Sequence, residues 1–404
     1  MLKDTILNTV GSVTYFFMQW LTTVLAARLA NFETAGVYAL VISFVNIFYS
    51  ISIFGIRNYQ ISDVEKYFST EQYLATRIIT MFTALFLCIF TICISPLSKY
   101  TLGCCVAYMM FKLEEAFTDG YFAILQTNKI YRELAISYII KGCISTVAFL
   151  VALTKTQSLL SAILWMTAGY GICIVTIDIK YCSKMGIGKP QFHKSIIILW
   201  KCIPLMFVSL SIPLMNYITR YAVEKELNSY LLGQYASLSS IVIIMGTFSG
   251  VVFIVFVPQV SEWKQKNQKY LLKQFCKYAL IGMILFGMVA IFVGQKLGSR
   301  VYQIIFGSKI LESMDLLIPI FLTAIILMVK TFFATMLVPL GQRWFLLIGE
   351  YSGVFLCAIL AVPLTKFWGL QGTNLSYLLG TMLQLIMLGG CVLIVISGKR
   401  AETL

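Results

Sequence analysis

Charged side chains are scarce in this 404-residue chain, where they make up only 12% of the residues. An ordinary soluble domain carries about 25% charged residues. Hydrophobic residues account for 59% of the chain, which is more than a soluble surface can accommodate. The composition therefore excludes an ordinary globular protein and indicates an integral membrane protein.

The residues and motifs that build common catalytic sites are also few. The chain has one histidine, His193, and no Gly-rich loop followed by Lys-Ser or Lys-Thr. This excludes a His-based catalytic site and ATP hydrolysis by a P-loop. Most of the 11 cysteines lie in apolar segments and show no metal-type pairing, so we interpret them as small hydrophobic residues. We predict that the chain is not an enzyme and holds no metal or cofactor.

The chain is rich in apolar segments that are long enough to cross a bilayer. A spanning helix needs about 20 mainly apolar residues. Twelve segments meet this requirement: 6–27, 36–56, 78–96, 101–126, 134–154, 158–179, 196–218, 230–257, 277–295, 311–337, 344–363 and 370–397. We predict an all-α integral membrane protein with about twelve transmembrane helices.

A short repeat indicates that the chain is built from two related halves. Residues 31–39 (NFETAGVYA) resemble residues 228–236 (NSYLLGQYA), and each copy follows one apolar segment and opens the next. Internal repeats of this kind build transporters whose substrate path lies between two lobes. Dividing the chain after its sixth segment predicts two six-helix lobes, residues 1–195 and 196–404.

The formal charge of +14 is distributed as a membrane topology requires. With a cytoplasmic N terminus, the cytoplasmic connections hold eighteen Lys and Arg residues, among them Arg57, Lys66 and Arg77, and the opposite connections hold nine. The positive-inside rule then places both termini in the cytoplasm. This topology and the attraction of basic residues to anionic lipid headgroups explain the positive charge. We therefore predict no nucleic-acid partner.

The fourth segment carries charges that the bilayer interior does not tolerate without partners. One helix face is formed by residues at 4-3-4-3-4 spacing: Tyr108, Lys112, Glu115, Asp119, Phe122 and Gln126. Glu114 lies beside this face, and Lys141, Lys201 and Lys330 lie in other segments. At about 2.5–3.5 kcal/mol each, the seven charges would cost on the order of 20 kcal/mol in lipid. This exceeds a typical folding stability of about 5–15 kcal/mol.

Two interpretations of these charges stay open. Lys112 and Glu115 can neutralise each other as a buried ion pair, whereas the remaining charges need partners on other helices or a water-filled cavity. A polar stripe on the first segment favours a cavity suited to hydroxyl-rich cargo such as sugar: Asn8, Ser12, Tyr15, Gln19 and Thr22, with Asn46 on the second segment. Polar stripes also hold membrane helices together, which is the alternative.

Two prolines interrupt the seventh segment. Pro204 and Pro213 each remove a backbone hydrogen bond and favour a kink. This segment is either a moving part of a gate or a static bend filled by packing.

Several short motifs resemble those of one transporter superfamily. They are Gly36-x-Tyr38-Ala39 and its copy Gly233-x-Tyr235, Phe54-Gly55-Ile56-Arg57, Leu125-Gln126, and the segment 367–372 (FWGLQG). With twelve segments in two lobes, the chain resembles the polysaccharide transporters of the MATE-like (MOP) superfamily, and within it the O-antigen flippases, or Wzx-type family.

The resemblance implies a function. Such flippases move an undecaprenyl-pyrophosphate-linked oligosaccharide from the cytoplasmic to the periplasmic leaflet of a bacterial inner membrane, as two lobes alternately open a central cavity. A polysaccharide polymerase and a chain-length regulator are expected partners. Drug-exporting relatives carry a carboxylate in the middle of the first segment, where this chain has Gln19, and its one acid nearby is Asp4 at the segment start.

The pyrophosphate of such a cargo needs cations along its route. The candidates are Arg28, Arg57, Lys201, Arg220 and Lys330. Lys141 is set apart, because its face can point to lipid while its amine snorkels. Since water can solvate the vacancy, we expect Lys201→Ala and Lys330→Ala to impair transport without lowering abundance. The other candidate cavity residues are Tyr15, Gln19, Asn46, Lys112, Glu115 and Asp119.

Other functions fit the sequence less well. A multidrug or small-metabolite exporter of the same fold is the first alternative. A membrane polymerase or ligase needs a large outward loop, and the longest outward connection, about 296–310, is short and basic. A structural membrane protein would not need the buried charges.

Overall fold

The computed structural model describes residues 2–63, 65–183, 188–254 and 256–397, and these residues form helices and short connections without a strand. Predictions about residues 184–187 and 398–404, and about the side chain of Asp4, lie outside this description. The helices are α1 (Leu2–Leu25, continued by a π-helical turn, Ala26–Ala30), α2 (Phe32–Ile53), α3 (Ile56–Ser62), α4 (Thr70–Ile94), α5 (Lys99–Thr127), α6 (Tyr131–Thr156), α7 (Leu159–Cys173, continued by a π-helical turn, Ile174–Asp178), α8 (Ile179–Ser183), α9 (Ser195–Glu226), α10 (Ser229–Ile254), α11 (Val257–Gln265), α12 (Lys269–Phe306), α13 (Leu317–Leu337, preceded by a 3-10 turn, Ser308–Leu316) and α14 (Arg343–Ser397).

The helices match the predicted spans, which confirms a multi-pass all-α membrane protein. Ten helical segments of the described chain are long and apolar enough to cross a membrane. The helix α5 is not among them because it carries Lys112, Glu114, Glu115 and Asp119. The helix α14 is bent at Trp368 and Gly369, where the backbone leaves the helical region. This bend separates the two predicted segments 344–363 and 370–397.

The sequence repeat has a local structural cause. Asn31 accepts a hydrogen bond from the Thr34 amide (2.7 Å) at the start of α2, and Asn228 accepts one from the Leu231 amide (2.8 Å) at the start of α10. Asparagine is among the preferred N-cap residues, since its side chain satisfies an amide that has no partner within the helix. The two copies of the repeat are therefore equivalent helix starts.

The chain divides into two compact units, residues 1–213 and 214–404. The division falls at Pro213 inside α9, later than the predicted lobe boundary at residue 195. The first half of α9 packs on the first unit: Ile198 and Cys202 join a buried cluster with Ile56 and Tyr73, and the Ser209 carbonyl accepts a hydrogen bond from Ser50. Although Pro204 and Pro213 interrupt its hydrogen bonding, α9 continues as one helix.

Each unit has its own core. In the first unit α1 packs on α6, α2 contacts α4 and α5, and α7 contacts α5 and α6. In the second unit α13 contacts α10, α12 and α14. Glycines allow the close approach of α12 to α13, since a Cβ at Gly294 would lie 2.7 Å from the Phe321 ring.

Candidate functional site

The candidate site begins at a break between α2 and α3. Phe54 (φ 49°) and Gly55 (φ 67°) both adopt the left-handed conformation, which glycine reaches without steric cost. A side chain at Gly55 would also meet Leu205, whose Cβ lies 2.7 Å from an ideal Cβ position. The break ends α2 at Ile53. It leaves the last carbonyl groups of α2 without hydrogen-bond partners within the helix.

Arg77 on α4 supplies those partners. Its Nη1 donates to the carbonyl groups of Ile53 (2.7 Å) and Ser52 (3.3 Å), and the hydroxyl of Thr80 donates to Ser52 as well (2.7 Å). The Arg77 side chain is buried. The prediction that Arg77 belongs to a cytoplasmic connection is therefore wrong, because α4 begins at Thr70 and carries Arg77 into the interior.

Asp119 links the break to α5. One carboxylate oxygen pairs with Arg57 (3.0 Å) and the other with Arg77 (2.7 Å). Arg57 also donates to Gln126 Oε1 (2.8 Å) and to the Tyr138 hydroxyl (2.9 Å). Two guanidinium groups share one carboxylate, so this group of side chains carries one excess positive charge.

A cavity of about 280 Å³ opens beside Arg57. It is polar and amide-rich, and its lining residues all belong to the first unit: Asn8, Ile53, Gly55, Arg57, Asn58, Ile61, Asp119 and Gln126. The Asn8 Oδ1 atom is buried without a hydrogen-bond partner among the described residues. The cavity thus offers a ligand one cation and the amide groups of Asn8, Asn58 and Gln126.

The predicted face of α5 continues into a second group of side chains. Glu115 accepts hydrogen bonds from the Tyr15 hydroxyl and from Lys112 Nζ, the latter at 2.5 Å. The Lys112 ammonium also lies 4.9 Å from the centre of the Tyr49 ring. Lys112 and Glu115 are both buried. The ion-pair interpretation is therefore confirmed for these two residues.

Lys141 has a partner that the sequence analysis missed. Its ammonium pairs with Asp178, which also accepts a hydrogen bond from Ser137 (2.8 Å). Lys141 is fully buried, so the interpretation that it snorkels from a lipid-facing position is wrong. The π-helical turn after α7 ends at Asp178, and such turns reorient side chains relative to a regular helix.

Lys330 also has an acidic partner within its own unit. Its Nζ lies 2.8 Å from each carboxylate oxygen of Glu350 on α14, and both side chains are about 2% exposed. Gln384 donates to the Glu350 carbonyl (2.7 Å). Asp178 and Glu350 both lie inside predicted spans, so an inventory of every acid in the apolar segments would have found them.

The remaining candidate residues lie in different surroundings. Arg220 is buried and lines a small cavity of the second unit with Asn216, Tyr235 and Tyr377. Lys201 is exposed, with its ammonium 5.1 Å from the centre of the Phe68 ring.

Three further predicted residues lie on α1 and α2. Arg28 is exposed in the π-helical turn. Gln19 Nε2 is buried without a partner among the described residues, and the Asn46 carbonyl accepts a hydrogen bond from Ser50 (3.0 Å). Of the five predicted cargo cations, Arg57 is the one that lines the 280 Å³ cavity of the first unit.

Solved structures with the same architecture cover nearly the whole chain. One is the inward-facing conformation of a multidrug resistance MATE family transporter of the MOP superfamily, with a TM-score of 0.77, 9% identity, and coverage of 99% of this chain and 100% of that one. The chain has the MATE fold. The outward-facing conformation of such a transporter matches at a TM-score of 0.68 with 11% identity, covering 100% of this chain and 96% of that one.

A curated sequence relative is the capsular polysaccharide biosynthesis protein CapF of Staphylococcus aureus. It is 24% identical over 339 residues, which cover 82% of this chain and 84% of that protein. No protein-family model matches the chain. The chain thus combines the MATE fold with a sequence similar to that of a capsular polysaccharide biosynthesis protein.

Proposed function

We propose that this membrane protein is a flippase for a lipid-linked oligosaccharide that carries a pyrophosphate group, such as the repeat unit of O-antigen or a related surface polysaccharide. The observation that carries this proposal is the cavity of about 280 Å³ beside Arg57, within a chain that is 59% hydrophobic. The cargo moves from the cytoplasmic to the outer leaflet of a bacterial cytoplasmic membrane.

The charge of the cavity suits a pyrophosphate. Arg57 and Arg77 share the single carboxylate of Asp119, so an anion beside Arg57 would balance the excess positive charge. A guanidinium group presents several donors in one plane, which matches phosphate oxygens. Because the Arg57 side chain is only 17% exposed, water screens this attraction less than it would at the protein surface.

The amide groups of the cavity suit a sugar. Asn8, Asn58 and Gln126 line the same space as Arg57, and each amide presents both donors and an acceptor. Hydroxyl groups of an oligosaccharide need both kinds of partner. A flat apolar drug would leave these groups unsatisfied, and this favours a hydroxyl-rich cargo over the multidrug alternative.

The relatives support the same proposal. The S. aureus protein is named for capsular polysaccharide biosynthesis. MATE family transporters of the MOP superfamily have been solved in an inward-facing and an outward-facing conformation, and alternating access requires both conformations. By this proposal both termini are cytoplasmic, and a polysaccharide polymerase and a chain-length regulator act on the exported units.

We assign the candidate residues to roles within their own units. Arg57 binds the pyrophosphate, while Tyr15, Gln19, Asn46, Lys112, Glu115 and Asp119 form the polar interior of the first unit. Arg28, Lys201 and Arg220 are further cations on the route of the cargo. Lys330 holds Glu350, so we assign it a role in stability rather than in cargo binding.

A reconstitution experiment tests this proposal. The full chain is placed in liposomes with a fluorescent undecaprenyl-pyrophosphate oligosaccharide, and a membrane-impermeant quencher reports the fraction in the outer leaflet. The wild type should move the lipid between leaflets, Arg57→Gln should abolish movement, and Arg57→Lys should retain part of it. Lys266→Gln is a matched control, because Lys266 is exposed and pairs only with exposed Glu262 in the described surface.

Two results would contradict the proposal. If Arg57→Gln moves the lipid at the wild-type rate, the cavity beside Arg57 is not the cargo site. If the wild type leaves the lipid in place but lowers the accumulation of a cationic dye in cells, the multidrug alternative is the correct one.

A further inference from the structure

Two adjacent glutamates on α5 have opposite surroundings. Glu115 accepts hydrogen bonds from Tyr15 and Lys112, which satisfy an ionised carboxylate. Glu114 has a buried Oε2 atom without a hydrogen-bond partner among the described residues. Neighbours in the sequence therefore differ in how well the protein can hold a negative charge on each of them.

The space around Glu114 is narrow. A Cβ atom at Gly171 on α7 would lie 2.8 Å from Glu114 Oε1. The absence of a side chain at Gly171 is what admits the carboxyl group between α5 and α7. The carboxyl group thus lies against α7, with its Oε2 atom buried.

The charged and titratable groups near Glu114 do not neutralise it. Glu115 on the same helix is an acidic neighbour whose own cation is Lys112, and Lys141 on α6 is already paired with Asp178 of the π-helical turn. At the end of α7, Cys173 is an electrostatic neighbour of Lys141, Asp178 and Glu114. The other elements place their groups near the other carboxylates of α5. Arg57 of α3 and Arg77 of α4 pair with Asp119. Tyr49 of α2 is an electrostatic neighbour of Glu115 and Asp119.

We propose that Glu114 is a proton-binding site of the first unit, protonated at neutral pH and able to release its proton when its surroundings change. An ionised carboxylate with a buried, unpaired oxygen is costly, and a neighbouring negative charge raises that cost. A proton removes the charge and needs no further ligands. A sodium or calcium ion needs several oxygen ligands, whereas one proton is enough to neutralise the Glu114 carboxylate and its unpartnered oxygen. The proton is accordingly the ion that we assign to Glu114.

Infrared difference spectroscopy of the full chain in liposomes tests this proposal. At neutral pH the wild type should show the C=O stretching band of a protonated carboxylic acid, sensitive to deuterium exchange, which Glu114→Gln removes. Glu114→Asp should keep an acid band at a shifted position, and this variant serves if Glu114→Gln is not recovered. Raising the pH should convert the band reversibly into carboxylate bands.

Glu262→Gln is the control. Glu262 is exposed on α11, and a hydrogen bond from Lys266 lowers its pKa, so this variant should lose only carboxylate bands. If Glu114→Gln also loses only carboxylate bands, Glu114 is ionised and the proposal is wrong. If sodium at constant pH removes the acid band, the site takes an alkali cation. The measurement needs no cargo, so its outcome is independent of the flippase assay.

Discussion

The two units handle buried charge in different ways. In the first unit, Asp119 is shared by two arginines, and Lys112–Glu115 and Lys141–Asp178 form further pairs. In the described part of the second unit, Lys330–Glu350 is a closed pair with both oxygens of Glu350 engaged. The first unit combines its pairs with a cavity and an unpaired glutamate oxygen. The shared carboxylate of Asp119 leaves an excess positive charge in the first unit, whereas the Lys330–Glu350 pair is neutral.

The largest expected effect is on the closed pair of the second unit. Lys330→Ala leaves the buried Glu350 carboxylate without its cation, and breaking a buried pair costs about 3–5 kcal/mol. We expect a marked loss of folded protein in the membrane and a lower thermal unfolding midpoint in detergent. This replaces the expectation that Lys330→Ala stays at normal abundance.

The double variant Lys330→Met with Glu350→Met is the matched control. It removes both charges, and the replacement of a buried ion pair by apolar residues of similar size is often neutral. Recovery of abundance in the double variant identifies the unpaired charge as the cause. Normal abundance of Lys330→Ala by itself would show that water reaches Glu350 and that the pair is not closed.

The next effect concerns the break in the first unit. Arg77→Met removes the donors to the Ser52 and Ile53 carbonyls and one partner of Asp119. Because hydrogen bonds to charged groups contribute about 1.5–3 kcal/mol, we expect a loss of about 2–3 kcal/mol, measured by denaturant unfolding in detergent. Arg57→Met should cost less, since Arg57 is 17% exposed and water can solvate its vacancy. Equal losses would show that the two arginines are equivalent.

A smaller and symmetric effect is expected at the repeated helix starts. Asn31→Ala and Asn228→Ala each remove an N-cap hydrogen bond, which contributes about 1 kcal/mol. The unfolding free energies of the two variants should fall by similar amounts, because both caps are local. A loss in one unit only would show that one of the two asparagines has a role beyond capping.

The smallest effect on stability is expected at Lys201. The Lys201 side chain is exposed. Its ammonium lies 5.1 Å from the centre of the Phe68 ring and 5.9 Å from the centres of the Tyr59 and Tyr67 rings. Such exposed contacts contribute about 0.5–1 kcal/mol. Lys201→Ala should keep normal abundance and a nearly unchanged unfolding midpoint. If it also moves the lipid at the wild-type rate, Lys201 is not on the cargo route.

The sequence was sufficient for the features that depend on neighbouring residues. The twelve apolar segments, the repeated Asn caps and the polar face of α5 were all predictable, because segment length, capping and helical spacing are local properties. The pairing of Lys112 with Glu115 belongs to the same class, as the two residues are one helical turn apart.

The sequence by itself thus determined a multi-pass helical membrane protein with two related halves and an ionisable face on its fourth span. Only the tertiary structure decided which groups form pairs: Arg77 reaches the broken end of α2, Asp178 reaches Lys141 from the end of a π-helical turn, and Glu350 reaches Lys330 from another helix. The reason is that these partners are far apart in sequence, so their meeting depends on which helix faces pack together. Burial then makes each partner necessary, because a charge left alone in the low-dielectric interior is costly.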